Sequence, residues 1–147
     1  MIEKPDYVDE LYTDKDLIKA VSSVDAVISV LPGTKETTNM FTLDVFKAMD
    51  KETIFVNAGR GTIYTEDTLC EVLDNNIIRA IGLDVFEKEP LDPNNRLWQY
   101  KNVLITPHVA GFFHLESARE DFVELVVENL KRYINNEELK YIVKERE

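Results

Sequence analysis

The sequence predicts a parallel α/β fold, because short apolar stretches alternate with amphipathic ones along its 147 residues. Four of the apolar stretches lack a polar face, which is typical of strands that are covered on both sides. The stretches between them carry apolar residues at helical spacing. We therefore expect a parallel sheet with flanking helices, built as a single domain over residues 1–147.

Each predicted strand is a short run that is rich in β-branched, aromatic or leucine side chains. The four runs are DAVISVLPG, TIFVN, AIGLDVF and NVLITPH, at residues 25–33, 53–57, 80–86 and 102–108. Pro32 and Pro107 close the first and the last of them. The segment 87–101 between the last two runs is irregular, and a loop of this length in a compact domain is often functional.

The predicted helices cover residues 14–23, 42–50, 65–76 and 116–136. Asp14 and Thr42 stand where helix N-caps are expected, and Ser117 with Glu120 has the spacing of a capping box. Apolar positions repeat at core spacing in every helix. The residues expected to face inward are Leu17, Ile18, Val21, Val45, Phe46, Met49, Leu69, Val72, Leu73, Phe122, Leu125, Val126, Leu130 and Tyr133.

The composition excludes several classes of partner. A formal net charge of −11 argues against nucleic acid and anionic membranes, which both require basic surfaces. The single cysteine, Cys70, excludes an internal disulfide framework and fits a reducing compartment. No apolar run is long enough to cross a membrane, and no metal site is predicted. We expect a cytoplasmic protein.

Ionisable residues follow three of the predicted strands, at the edge where an open parallel sheet binds ligands. Arg60 follows the second strand; Asp84, Glu87 and Glu89 follow the third; His108 ends the fourth. An arginine matches a carboxylate, and a histidine exchanges protons near neutral pH. Taken singly, each residue is more often an ion-pair partner or a cap, so their convergence carries the argument. Together they suit the reduction of a 2-keto acid by a hydride-carrying cofactor.

Four strings in this order and spacing resemble the NAD(P)-dependent D-isomer-specific 2-hydroxyacid dehydrogenases. They are DAVISVLPGTKETTNM, FVNAGRGTIYTEDTLCEVL, AIGLDVFEKEPL and NVLITPHVAG, and the resemblance runs from about Tyr7 to the C-terminus. It implies part of a doubly wound, Rossmann-like sheet. It also implies NAD or NADP as cofactor and a small 2-keto or 2-hydroxy acid as substrate. We further expect a homodimer, because a sheet that lacks its first strands has an open edge.

The resemblance implies a role for nine residues. Arg60 corresponds to the arginine that holds the substrate carboxylate, His108 to the acid/base histidine, and Glu89 to its carboxylate partner. Asp84 corresponds to the aspartate near the nicotinamide carboxamide. The remaining positions that the resemblance places against the cofactor are Leu31, Pro32, Thr38, Ala58 and Gly111.

The glycine-rich phosphate cradle of such folds, G-x-G-x-x-G, is absent from the sequence. We therefore expect the C-terminal part of a dinucleotide-binding domain that lacks its first βαβ unit. An exposed edge strand, weak cofactor binding and little activity of the isolated chain follow from this. Two alternatives remain open: a non-catalytic NAD-sensing or corepressor-type relative, and an inactive isolated fragment.

Overall fold

The computed structural model describes residues 4–111 and 115–142. It divides the chain into two compact units, Met1–Ala110 and Gly111–Glu147. The expectation of a single domain over 1–147 is not tested by this division and stays a prediction.

The first unit contains a sheet of four parallel strands in the order β1-β2-β3-β4. These strands are β1 Ala26–Ser29, β2 Ile54–Asn57, β3 Ala80–Leu83 and β4 Val103–Ile105. The predicted parallel α/β fold is therefore confirmed. Within the described residues β1 pairs only with β2, so β1 is an edge strand, as expected. The register places Asn57 beside Leu83 and Leu83 beside Ile105, which brings the carboxyl ends of three strands together.

The helices of this unit are short: one precedes β1, and two lie between successive strands. They are α1 Leu17–Val21, α2 Leu43–Lys47 and α3 Glu66–Asp74, with 3-10 turns at Asp14–Asp16, Gly61–Ile63 and Arg96–Gln99. The N-cap prediction for Asp14 is wrong, since Thr13 precedes the turn and Asp16 precedes α1. Ile18 is 54% exposed, whereas Val21 is buried. In so short a helix the i, i+4 pair faces inward, and the next residue is turned away by about 100°.

The core lies on one face of the sheet, under α2 and α3. The predicted inward residues of both helices are buried, and Phe46 packs edge-on against Phe55 of β2 at 5.1 Å between ring centroids. On the opposite face Ile28 is 69% exposed and Leu104 is 70% exposed, so the prediction of strands covered on both faces is wrong for the described residues. The right-handed β-α-β crossovers that contain α2 and α3 explain this, because they run in one direction along the sheet and put both helices on one side.

The second unit contains the helix α4, Glu116–Ile134. Leu115 precedes it without a side-chain cap, so the predicted capping box of Ser117 and Glu120 is wrong. None of its described residues is buried. The unit has no other described helix or strand to cover the apolar stripe, and the inward-facing prediction for this helix is wrong. Across the described ranges, no helix combines the length and apolar character that a membrane crossing requires.

Candidate active site

A histidine and a carboxylate meet at the carboxyl edge of the sheet. Nδ1 of His108, which follows β4, lies 2.7 Å from Oε2 of Glu89, in the segment after β3. The other oxygen of Glu89 accepts a hydrogen bond from the backbone N–H of Phe86 at 3.0 Å. Two donors therefore fix the carboxylate and, through it, the orientation of the ring. Because Nδ1 is engaged, Nε2 is the ring nitrogen that can exchange a proton with a ligand.

The charge of Glu89 is favoured by its surroundings. Partial burial acts to raise the pKa of this carboxyl. The hydrogen bonds from His108 and from the Phe86 amide, together with the positive charges of His108 and Arg60, outweigh burial and hold the pKa below its ordinary value. Glu89 is thus an ionised hydrogen-bond acceptor at neutral pH.

Asp84 holds the segment that carries His108. Its carboxylate is buried and accepts three hydrogen bonds, from the Thr106 hydroxyl at 2.5 Å and from the N–H groups of Val109 and Ala110 at 2.9 Å each. Burial acts to raise the pKa of Asp84, but these donors and the charge of His108 lower it below its ordinary value. The ionised side chain therefore ties the end of β3 to both sides of the histidine.

The loop that carries Arg60 is held by a buried amide. Nδ2 of Asn57 donates to the Arg60 carbonyl at 2.9 Å and to the Tyr64 hydroxyl at 3.1 Å, and its Oδ1 accepts from the Gly59 N–H at 3.0 Å. The Tyr64 hydroxyl in turn donates to the Val85 carbonyl at 3.0 Å. Sequence reasoning missed this network. Its one signal was an asparagine that directly ends an apolar strand before a glycine-rich loop.

The two glycines that flank Arg60 are required by neighbouring protein backbone. A Cβ on Gly59 would lie 2.5 Å from the Leu31 carbonyl oxygen, and one on Gly61 would lie 2.0 Å from the Phe86 carbonyl carbon. Neither glycine has a positive φ, so close approach is the reason for them, rather than a turn that only glycine can make. The loop is thereby pressed between the strand ends on either side of it.

Arg60 itself is exposed. Its Nη1 donates to the Gly59 carbonyl at 2.8 Å, and Gly33 packs against its aliphatic stem. Within residues 4–111 and 115–142 it forms no ion pair with a carboxylate. Most of its donors therefore remain available to an acidic ligand.

Several of the residues that the sequence suggested for cofactor binding lie at the ends of β1 and β2. Leu31 is partly buried beside Gly59, and the Ala58 N–H donates to the Ser29 carbonyl at 2.9 Å. Pro32 and Thr38 flank the turn that follows, where the Thr38 hydroxyl donates to the Thr34 carbonyl at 2.7 Å.

Two candidates stand apart from this group. Glu87, which follows β3 as expected, accepts from the Glu66 N–H at 2.7 Å at the start of α3 and so contacts that helix rather than His108. Gly111 is the first residue of the second unit, and its predicted contact with a cofactor stays a prediction.

A parallel α/β sheet with an oriented histidine at the ends of its strands has the arrangement of a ligand-binding site that contains a proton-exchanging group. A family profile described as "D-isomer specific 2-hydroxyacid dehydrogenase, NAD binding domain" matches residues 3–110. The chain belongs to this family.

Named relatives agree with this assignment. The chain is 39% identical over 126 residues to a glyoxylate/hydroxypyruvate reductase B of Cronobacter sakazakii, covering 86% of the chain and 38% of that protein. It is 41% identical over 104 residues to a probable 2-ketogluconate reductase of Dictyostelium discoideum, covering 69% of the chain and 31% of that protein. The chain thus spans well under half the length of the curated relatives it matches.

Solved structures are similar over most of the chain. A D-isomer specific 2-hydroxyacid dehydrogenase family protein from Aeromonas salmonicida superimposes with a TM-score of 0.84 at 32% identity, covering 97% of this chain and 44% of that one. An NADPH-dependent glyoxylate/hydroxypyruvate reductase from Sinorhizobium meliloti, in complex with NADP and sulfate, superimposes with a TM-score of 0.79 at 30% identity, covering 90% and 42%.

Proposed function

We propose that this chain carries the catalytic residues of an NAD(P)-dependent 2-hydroxyacid dehydrogenase, which transfers hydride between a nicotinamide cofactor and a 2-keto acid. The observation that carries the proposal is the contact of 2.7 Å between His108 Nδ1 and Glu89 Oε2 on the same edge as Arg60. Arg60 has no carboxylate partner in the described part of the chain. The set supplies a proton donor, its orienting acid and a carboxylate anchor.

Each residue has a chemical task in this proposal. Arg60 binds the substrate carboxylate through its fork of N–H donors. His108 gives a proton from Nε2 to the keto oxygen as the carbonyl carbon is reduced, and it takes that proton back in the reverse direction. Glu89 holds the ring in place through its contact with Nδ1. The names of the relatives, reductases of glyoxylate, hydroxypyruvate and 2-ketogluconate, support small 2-keto acids as the substrate class.

The nicotinamide end of a cofactor suits the residues present. NADH or NADPH, when bound, supplies the hydride that no side chain can provide. Oδ2 of Asp84 accepts one hydrogen bond, and a carboxylate oxygen can accept a second, which suits a carboxamide N–H. The contacts of Leu31, Pro32, Thr38, Ala58 and Gly111 with the rest of the cofactor are part of the proposal. The NADP complex of the Sinorhizobium meliloti relative supports it.

The sequence offers no G-x-G-x-x-G cradle for the pyrophosphate, so we expect weak cofactor binding by these 147 residues. A single domain over 1–147, a homodimer and a cytoplasmic location complete the proposal. The exposed edge of β1 supports self-association, because an unpaired strand edge is a template for pairing with another strand.

The test is keto-acid-dependent loss of nicotinamide absorbance at high protein concentration, with glyoxylate, hydroxypyruvate and 2-ketogluconate against NADH and NADPH. We expect a slow rate that His108→Ala and Arg60→Lys each reduce at least about a hundredfold. A rate loss of this size is expected when a general acid or a bidentate carboxylate anchor is removed. Arg79→Lys is the matched control, because Arg79 is exposed at the opposite end of β3. A parent rate no higher than that of His108→Ala would contradict the proposal.

A further inference from the structure

A cavity of about 520 Å³ opens beside the histidine–glutamate pair. This volume lies within the range of small-molecule sites, about 300–1,000 Å³. His108 and Glu89 form its polar end, and the other lining residues are apolar. They are Phe86, Pro90, Leu91, Trp98, Ile105 and Pro107.

Trp98 forms an aromatic wall of the cavity, and its side chain is fixed in position although it is exposed to solvent. Trp98 is 52% exposed, yet its Nε1 donates to the Asp92 carbonyl at 3.0 Å, which holds the side chain in place. Leu91, in the same irregular segment, is partly buried and packs against the core. An exposed large aromatic held in place beside an apolar side chain offers area to a ligand at little cost in ordering.

The cavity lies beside the histidine that would contact the keto group of the substrate. In the proposed reaction, Nε2 of His108 contacts the keto oxygen of the substrate. The carbonyl carbon is bonded to that oxygen, so it lies close to His108. In the proposed function, the carboxylate on one side of that carbon is bound by Arg60. The substituent on the other side needs a separate space, and the cavity that His108 itself lines provides one.

We infer that this cavity is the side-chain subsite of the substrate, and that it selects 2-keto and 2-hydroxy acids with branched or aromatic apolar side chains. Trp98 and Leu91 are its specificity-determining residues. The inference rests on the proposed function, because it places the keto group at His108. The inference goes beyond the proposed function because it favours substrates that are larger and less polar than glyoxylate or hydroxypyruvate. Burial of three further carbons against apolar walls is expected to tighten binding at least about tenfold.

The sole tryptophan of the chain makes a binding test direct, since Trp98 is the only indole emitter. D-2-hydroxy-4-methylpentanoate and D-glycerate, which do not absorb where indole is excited, are titrated against Trp98 emission. The expected result is saturable quenching by the branched acid at a concentration at least tenfold below that needed for glycerate. Equal concentrations for the two acids, or no response to either, would overturn the inference.

A matched pair of leucine variants tests the wall itself. Leu91→Asn places an amide in the cavity and is expected to remove the tenfold preference, whereas Leu104→Asn alters a leucine that is 70% exposed on β4, outside the cavity, and is expected to keep it. If Leu91→Asn does not fold, the parent chain still gives an answer. The indole N–H signal of Trp98 in a ¹⁵N spectrum is expected to shift with the branched acid and to stay in place with glycerate.

The outcomes separate this inference from the proposed function. Preferential binding of the branched acid without any hydride transfer would contradict the dehydrogenase and leave the subsite standing. Turnover with hydroxypyruvate, combined with an unchanged preference in Leu91→Asn, would confirm the dehydrogenase and overturn the subsite.

Discussion

The loop that carries Arg60 follows β2, and the segment that carries His108 follows β4 of the same sheet, yet the two are held in different ways. Asn57, a neutral buried amide, fastens the arginine loop through three hydrogen bonds. Asp84, a buried carboxylate, fastens the histidine segment through three others. Burial raises the pKa of the Tyr64 hydroxyl far above its ordinary value despite the bond from Asn57, so the first network stays neutral. Only the second network depends on an ionised group, and the comparison therefore predicts different responses to pH.

The largest loss of stability is expected from Gly61→Ala, which disturbs the packing of the loop that carries Arg60. The added Cβ would stand 2.0 Å from the Phe86 carbonyl carbon, and backbone must shift to admit it. We expect the free energy of unfolding to fall by more than about 3 kcal/mol, measured by urea denaturation. Gly82→Ala is the control, because its Cβ would meet Val56 at 3.4 Å, and it should change stability by less than about 1 kcal/mol. Similar losses in both variants would refute the close-packing account.

Asn57→Ala removes the neutral network without adding atoms. It leaves the Arg60 carbonyl and the Gly59 N–H without their partner, which is expected to cost about 3 kcal/mol of unfolding free energy. The loss should be the same at pH 7 and pH 5, since no group in this network titrates there. Asn102→Ala, which removes one exposed hydrogen bond to the Arg79 carbonyl, should cost under about 1 kcal/mol. A loss that varies with pH would show that the network is not neutral.

Asp84→Asn tests the charged network. The folded-state pKa of Asp84 lies below the value of about 3.9 that an unfolded chain shows. Its contribution is therefore fully present above that unfolded value and is lost as pH falls through the lower folded value. We expect Asp84→Asn to cost about 2 kcal/mol at pH 7. The difference in unfolding free energy from the parent chain should narrow as pH falls below about 3.9. A gap that persists unchanged in acid would contradict the assignment.

Glu89→Gln is expected to have the smallest effect on stability, because the pair with His108 is partly exposed and such pairs contribute under about 1 kcal/mol. Its effect on function should be larger than its effect on folding. Loss of the carboxylate frees the ring, so the His108 ring signals in NMR should move while the unfolding midpoint stays within about 2 °C. Unmoved ring signals would indicate that Glu89 does not orient the histidine.

Much of the scaffold was readable from the sequence. Apolar runs separated by short amphipathic stretches leave few topologies besides a parallel sheet, and the carboxyl ends of parallel strands share an edge. The meeting of His108 with Glu89 follows from that rule. The exposure of one face of the sheet could not be predicted. An apolar residue such as Ile28 indicates that its face is suited to burial, but it does not indicate which element covers that face.

Other features depended on contacts that no local pattern encodes. Glu87 and Glu89 are two residues apart and chemically alike, yet one accepts from the start of α3 and the other from His108. Asn57 after a strand has the pattern of an ordinary turn residue, and its partners Tyr64 and Val85 come together only in the folded chain. The glycines around Arg60 lie against the backbone of Leu31 and Phe86, and these neighbours come together only in the folded chain.

The central claim is that Arg60 anchors a 2-keto acid beside His108, and the most direct measurement is an NMR titration with oxamate, a stable analogue of such acids. The claim predicts a saturable shift of the Arg60 side-chain N–H signal, together with the His108 ring signals, while the Arg79 signal stays in place. Arg60→Lys should abolish the shift at His108. Unmoved Arg60 signals, or equal shifts at Arg60 and Arg79, would contradict the claim.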